Sequence, residues 1–148
     1  MGIKLIVIWM VSGLMVEVGP RVIDKCELIA RLRENLGDKV EDIGQLLCIA
    51  EIGSHFNTSV VTKLPDQTSD YGLFQINERY CFEEGNSCGL PQDCESLLTN
   101  NVTLAITCAS HIARAAGFPA FSVYVEFCSD DRWKRITELF VELDQSDF

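Results

Sequence analysis

The chain has 148 residues, enough for one domain with a sizeable core, and its 12 basic and 22 acidic residues give a net charge of −10. Such an acidic surface repels anionic polymers at long range, which argues against nucleic acid and sets any approach to an anionic bacterial wall against the field. The same charge also serves simply to keep a protein in solution. The first element is a leader: Lys4 stands before an apolar stretch from Leu5 to Val16, which is too short for a comfortable membrane span and is followed by polar sequence. Residues 1–19 therefore read as a secretory signal, with Gly19 or Gly13 as small residues near the cleavage point. Residues 20–148 read as a single soluble, extracellular domain. Lys4 and Glu17 cancel, so the mature chain keeps the net charge of −10.

Ile23 to Leu36 reads as a first helix, with Ile23, Leu28, Ile29, Leu32 and Leu36 near helical spacing and Gly37 as its stop. Val40 to Ile52 reads as a second, with Val40, Ile43, Leu47 and Ala50 along one stripe. Asn57 to Asn77, rich in Thr, Val, Ser and Asp with Pro65, suits a small irregular antiparallel sheet. Glu83 to Pro91 is a polar loop. Leu97 to Ala115 returns to helix and Gly117-Phe118-Pro119 breaks it. Ala120 to Phe127 is a short aromatic segment, read as a further helix. From 131 to 143 the chain forms an amphipathic tail, in which Trp133, Ile136, Leu139, Phe140 and Leu143 line one face. The order predicts an α+β fold, mostly helical with a small antiparallel sheet.

Seven cysteines behind a leader point to disulfides rather than a metal site, because no CxxC pair or His-rich cluster is present. His55 and His111 are isolated, and surface or packing roles suit both. The odd count leaves at least one thiol unpaired or joined to another molecule. Spacing alone does not choose the connectivity. Asn57-Thr58-Ser59 and Asn101-Val102-Thr103 are permissible N-glycosylation sequons in a secreted chain.

Thr68-Ser69-Asp70-Tyr71-Gly72-Leu73-Phe74-Gln75-Ile76-Asn77 closely resembles the active-site strand segment of c-type lysozymes and α-lactalbumins. The similarity covers roughly Arg21 to Cys128 and has further supports. Arg21 to Leu28 looks like the family's mature N-terminus, Cys94-Glu95-Ser96-Leu97-Leu98 followed by Cys108-Ala109 keeps its cysteine interval, and Gly117-Phe118-Pro119-Ala120-Phe121 to Cys128 resembles the end of the insect-type chains. The resemblance implies a lysozyme-like, disulfide-stapled fold with Cys48–Cys128, Cys81–Cys94 and Cys88–Cys108 bridges. It leaves Cys26 as a free thiol, or the link of a dimer, because its family partner near the C-terminus is missing. A lost long-loop bridge costs roughly 2–5 kcal/mol, and packing of the tail against the first helix is the expected offset.

The resemblance also implies a departure in chemistry. Glycoside hydrolysis of the kind for which lysozyme is the general example uses an acid to protonate the leaving oxygen and a second carboxylate on the sugar's other side. The family's helical Cys-x-Ala-x-x-Glu-Ser supplies that acid; the matching stretch is Cys48-Ile49-Ala50-Glu51-Ile52-Gly53-Ser54, so Gly53 stands at the acid's position. Asp70 matches the nucleophile or stabiliser. Glu51, two helical residues earlier, points about 200° away from Gly53 and belongs to solvent or a neighbouring helix. His55, beyond the helix end, fails less decisively. Gln75 and Asn77 match polar positions near the scissile sugar. Tyr80 stands at an aromatic wall position, while the family's further Trp beside it has no counterpart. Phe121 takes the place of a Trp that raises the acid's pKa, and Ala120 matches a backbone contact to an acetamido group. The α-lactalbumin calcium positions are occupied by Thr99, Asn101, Leu104 and Ala105, too poor in side-chain oxygen for calcium. No metal or cofactor is expected.

Three functions follow as expectations. The first is a secreted, catalytically inactive lysozyme-like protein acting by binding an N-acetylhexosamine-containing glycan or a protein partner. The second is a muramidase of weak or altered activity using Asp70 and another donor. The third is a modulator subunit of another enzyme. A Glu at position 53 is expected to project into the cleft.

Overall fold

The computed structural model describes residues 21–82, 88, 94–131, 133–135 and 138. The leader at 1–19, most of the polar loop and most of the tail face (Ile136, Leu139, Phe140 and Leu143) lie outside the described residues. The elements among the described residues run, in chain order, α1 (Lys25–Leu36), α2 (Val40–Ser54), β1 (Val61–Lys63), β2 (Ser69–Tyr71), β3 (Ile76–Asn77), α3 (Arg79–Phe82) and α4 (Val102–Ala116). A 3-10 turn at Glu95–Leu98 precedes α4, a second at Phe118–Ala120 follows it, and a π-helical turn runs over Tyr124–Cys128. The architecture is mostly helical with a three-stranded antiparallel sheet, as the sequence predicts.

Local chemistry sets the boundaries. Asp24 caps α1 by accepting from the Glu27 N–H, so the helix starts at Lys25 and Ile23 sits outside it, buried, donating its N–H to the Phe56 carbonyl. Gly37, at φ 62°, closes α1 with its N–H on the Arg33 carbonyl. α2 runs two residues past Ile52, through Gly53 to Ser54, and ends at His55 in the left-handed region. Its residues from Ile43 to Ala50 are all buried, the signature of a helix enclosed on every face. The predicted helix from Leu97 divides in two, because Asn101 caps a fresh start at Val102 with its side-chain oxygen on the Leu104 N–H. The aromatic segment expected as a helix from Ala120 is helical from 122 onward, with π-helical pairing over Tyr124–Cys128, and Ala120 itself ends the preceding 3-10 turn.

The core gathers Leu28 and Leu32 of α1, Leu46, Leu47 and Ile49 of α2, Ile106 and Ile112 of α4, and Leu73, Phe74 and Ile76 beside the sheet. Trp133 is half-buried against it. Bridges Cys48–Cys128, Cys81–Cys94 and Cys88–Cys108 cross the fold, and Cys26 is an exposed free thiol on α1. Alkylation of the folded, unreduced monomer should label one cysteine per chain, Cys26; label at any of the other six would contradict this pairing.

Gly72 ties the sheet to the 3-10 turn before α4. Its φ is +74°, and a Cβ there would lie 2.4 Å from the Leu97 carbonyl oxygen. Gly72→Ala therefore combines backbone strain with a clash against main chain, and a loss of about 2–4 kcal/mol is expected from the urea midpoint. A midpoint within error of wild type would show that the close approach relaxes freely.

Candidate functional site

The strand register assembles the site. Thr62 of β1 and Asn77 of β3 both pair with Asp70, which places the carboxylate at the centre of the middle strand. The Asn77 Nδ2 donates to Asp70 Oδ1 at 2.9 Å and to the Thr68 hydroxyl at 2.8 Å. The other carboxylate oxygen, Oδ2, accepts from the Ser122 hydroxyl at 2.5 Å. Ser122 follows Phe121, so this bond carries the chain after α4 onto the sheet. Asp70 is only 2 % exposed. Burial lifts its carboxyl above the ordinary aspartate value; the Ser122 and Asn77 hydrogen bonds act in the opposite sense, and the Asp66 charge adds a smaller rise.

That shift has a sign for stability. A carboxyl whose folded pKa is raised binds protons more readily in the native state, so the penalty is absent below its unfolded value and fully present above the folded one. Asp70→Asn removes the buried charge while keeping an acceptor for Asn77 and gaining a donor towards the Ser122 oxygen. The variant should melt higher than wild type near pH 7, with the difference vanishing as pH falls below about 3.9, the unperturbed aspartate value. A variant that melts lower at neutral pH would mean the ionised carboxylate is a net stabiliser.

Gly53 faces this site from the last turn of α2. A Cβ there would meet Gln75 Cγ at 2.9 Å and Val123 Cγ2 at 3.0 Å, so these two side chains must shift to admit one. A Glu at position 53, expected to project into the cleft, would therefore start from a tight contact with both neighbours. Ser54, the next residue, holds the helix end to the sheet segment: its hydroxyl lies within hydrogen-bonding distance of the Ala50 and Leu73 carbonyls, at 2.9 and 2.8 Å.

The polar side chains beside Asp70 are turned inward. Gln75, at φ 50° and 2 % exposed, donates from its amide Nε2 to the Val60 and Gly72 carbonyls, while its Oε1 accepts from the Thr62 hydroxyl. Asn77 spends its amide on Thr68 and Asp70, and its Oδ1 accepts from the Arg79 backbone N–H and Nε. Tyr80 is half-buried and packs on the core. Ala120 is half-buried at the end of its 3-10 turn. Phe121 is buried, with its ring 6.4 Å from Phe118, and the atoms nearest to a Cβ on Gly53 belong to Gln75 and Val123.

Among the described residues, two nearby acids and a histidine are candidates for a proton donor in place of position 53. Glu51 points to α1, where its carboxylate lies 3.6 Å from the Lys25 ammonium. Asp66 is held below the ordinary aspartate value, chiefly by the Thr68 hydroxyl, so it stays ionised and is a poor proton donor. His55 is exposed at the end of α2. Sequence reasoning missed Ser122 and Val123. Neither residue type signals a cleft role, and only the fold brings them across to Asp70 and Gly53.

The family model for C-type lysozyme/alpha-lactalbumin matches residues 21–137. A Lysozyme C from Penaeus merguiensis is 33% identical over 127 residues, covering 78% of this chain and 79% of its own. Lysozyme P from Drosophila melanogaster is 37% identical, covering 74% and 79%. Sperm acrosome-associated protein 5 from Homo sapiens is 31% identical and covers 94% and 93%. The crystal structure of a lysozyme from Litopenaeus vannamei superposes with a TM-score of 0.64 at 28% identity, over 80% of this chain and 96% of that one. Strand segment, disulfide framework, fold and relatives agree, and the chain belongs to the C-type lysozyme/alpha-lactalbumin family.

Proposed function

We propose that this protein is a secreted, non-hydrolytic member of its family that acts by binding. The observation that carries the reading is the state of the site around Gly53. Glycine brings no titratable atom to the acid's position, and a Cβ added there would crowd Gln75 and Val123. Losing a general acid removes typically about 10²–10⁴ in rate, or roughly 3–5 kcal/mol of barrier. Asp70, the matching second carboxylate, is buried and engaged by Ser122 and Asn77.

Secretion is supported by the three disulfides, by the leader pattern at 1–19 and by the absence, among the described residues, of any helix long and apolar enough to cross a membrane. The side-chain groups that would hold a sugar, Gln75 and Asn77, are spent inside the protein. A glycan would have to rely on Tyr80 and on backbone near Ala120, so a protein partner is the favoured occupant. Wall lysis across pH, run beside an active c-type lysozyme, tests the reading. No clearing above background is expected; clearing at a rate near the active enzyme would end it. Titration with chitooligosaccharide then separates the two binding classes, and saturable binding would move the assignment to a glycan.

A further inference from the structure

We infer that Asn101, and not Asn57, carries an N-linked glycan; the inference rests on the secretory reading above. Both residues stand in sequons, but the fold treats them differently. Asn101 is exposed at the start of α4. Its Oδ1 accepts from the Leu104 N–H at 3.1 Å, which turns Nδ2, the atom that bears a glycan, away from the helix end. Nδ2 has no hydrogen-bond partner among the described residues, and Thr103, the hydroxyl residue of the sequon, is exposed as well. A substituted amide keeps its carbonyl oxygen, so a sugar on Nδ2 leaves the cap intact.

Asn57 is placed against the body of the protein. It bridges Val22 and is half-buried. Its Oδ1 accepts from both the Ser59 N–H and the Ser59 hydroxyl, at 2.9 and 2.6 Å, so the sequon's own hydroxyl is held inside a local turn. The middle residue, Thr58, is 1 % exposed and locked to Arg21 in both directions: its N–H donates to the Arg21 carbonyl, and its hydroxyl oxygen accepts from the Arg21 N–H. A branched, hydrated oligosaccharide at this point has to be accommodated beside Arg21 and Val22, whereas at Asn101 it projects from an exposed helix start.

The donor is a lipid-pyrophosphate-linked oligosaccharide, supplied by the secretory compartment. The bond formed joins Asn101 Nδ2 to C1 of the first N-acetylglucosamine. The sugar–pyrophosphate bond breaks, the lipid pyrophosphate leaves, and Nδ2 gives up one proton.

The full chain, expressed with its own leader in a eukaryotic secretory culture, provides the test. Peptide mass spectrometry of the protein from the medium, before and after enzymatic release of N-glycans, should show one glycan, with release converting Asn101 to Asp. Two variants separate the carbohydrate from the cap. Asn101→Asp keeps a capping oxygen and Thr103→Ala keeps Asn101, and each should lose the glycan while melting close to the enzymatically deglycosylated wild type. Secreted protein with Asn101 unmodified, or with its glycan at Asn57, overturns the inference and leaves the secretory reading standing. Unmodified protein retained in the cytosol overturns both.

Discussion

Gly53→Glu alone is expected to leave wall lysis at background, and Gly53→Glu combined with Val123→Ala to raise it by about 10²-fold over that background. The single change enters occupied space: Gln75 Cγ and Val123 Cγ2 stand 2.9 and 3.0 Å from the position of the new Cβ. Gln75 is fixed by hydrogen bonds from both ends of its amide, so it resists moving. Overpacking of this kind costs about 1–3 kcal/mol, against a gain of about 0.5–1 kcal/mol from replacing a helical glycine. The single variant should therefore melt below wild type. Val123→Ala removes both γ-carbons, which stand 3.0 and 3.5 Å from the new Cβ, and so relieves that contact. A carboxyl in that half-apolar setting has its pKa raised, which keeps it protonated as a donor. Lysis by the single variant equal to that of the double would show that the neighbours give way freely. A double variant that folds, binds chitooligosaccharide and lyses nothing would show that more than the acid is missing.

Replacing both Cys48 and Cys128 by Ala should destabilise the fold by about 4–5 kcal/mol, the chain-entropy value for a loop of this length. The bridge spans 80 residues and joins the centre of α2 to the end of the π-helical turn, with both cysteines fully buried. At roughly 3–6 °C per kcal/mol for a domain of this size, the melting temperature should fall by more than 10 °C. The same bridge anchors the segment carrying Ser122 and Val123, so its removal should also loosen Asp70. Faster amide exchange at Ser122 and Val123 would report that loosening. A fall of only a degree or two would mean that packing alone holds the segment in place.

Much of this was legible in the sequence because it depends on local pattern. The apolar spacing of α1 and α2 and the glycine stop at Gly37 are short-range signals, and the structure follows them to within two residues. The capping atoms were less visible. Asp24 and Asn101 each shift or divide a helix, and a capping oxygen competes with hydrophobic periodicity that runs straight through it. At the site, Asp70 and Gly53 stood out because a long motif surrounds them. Ser122 and Val123 did not, since their importance comes from a contact 52 residues distant in sequence for Ser122 and from the closeness of its γ-carbons to Gly53 for Val123. Nor could the sequence reveal that Gln75 and Asn77 spend their amides internally, because an amide's partner is set by tertiary geometry.

Gly53 has close neighbours, since a Cβ there would stand 2.9 Å from Gln75 Cγ and 3.0 Å from Val123 Cγ2. On the proposed reading, its neighbours have settled into the room that a longer side chain once took, and that settlement changes which evolutionary steps remain open. A single reversion at position 53 lands on a crowded core and meets a stability penalty before it gains any catalysis. Val123 would have to shrink first, at a moment when shrinking brings nothing but a cavity. On that reading, loss of hydrolysis on this scaffold would behave as a ratchet: one substitution would release it, and the packing that followed would lock it. The chain is then free to be selected for whatever it binds, with the return to an enzyme barred by a few methyl groups.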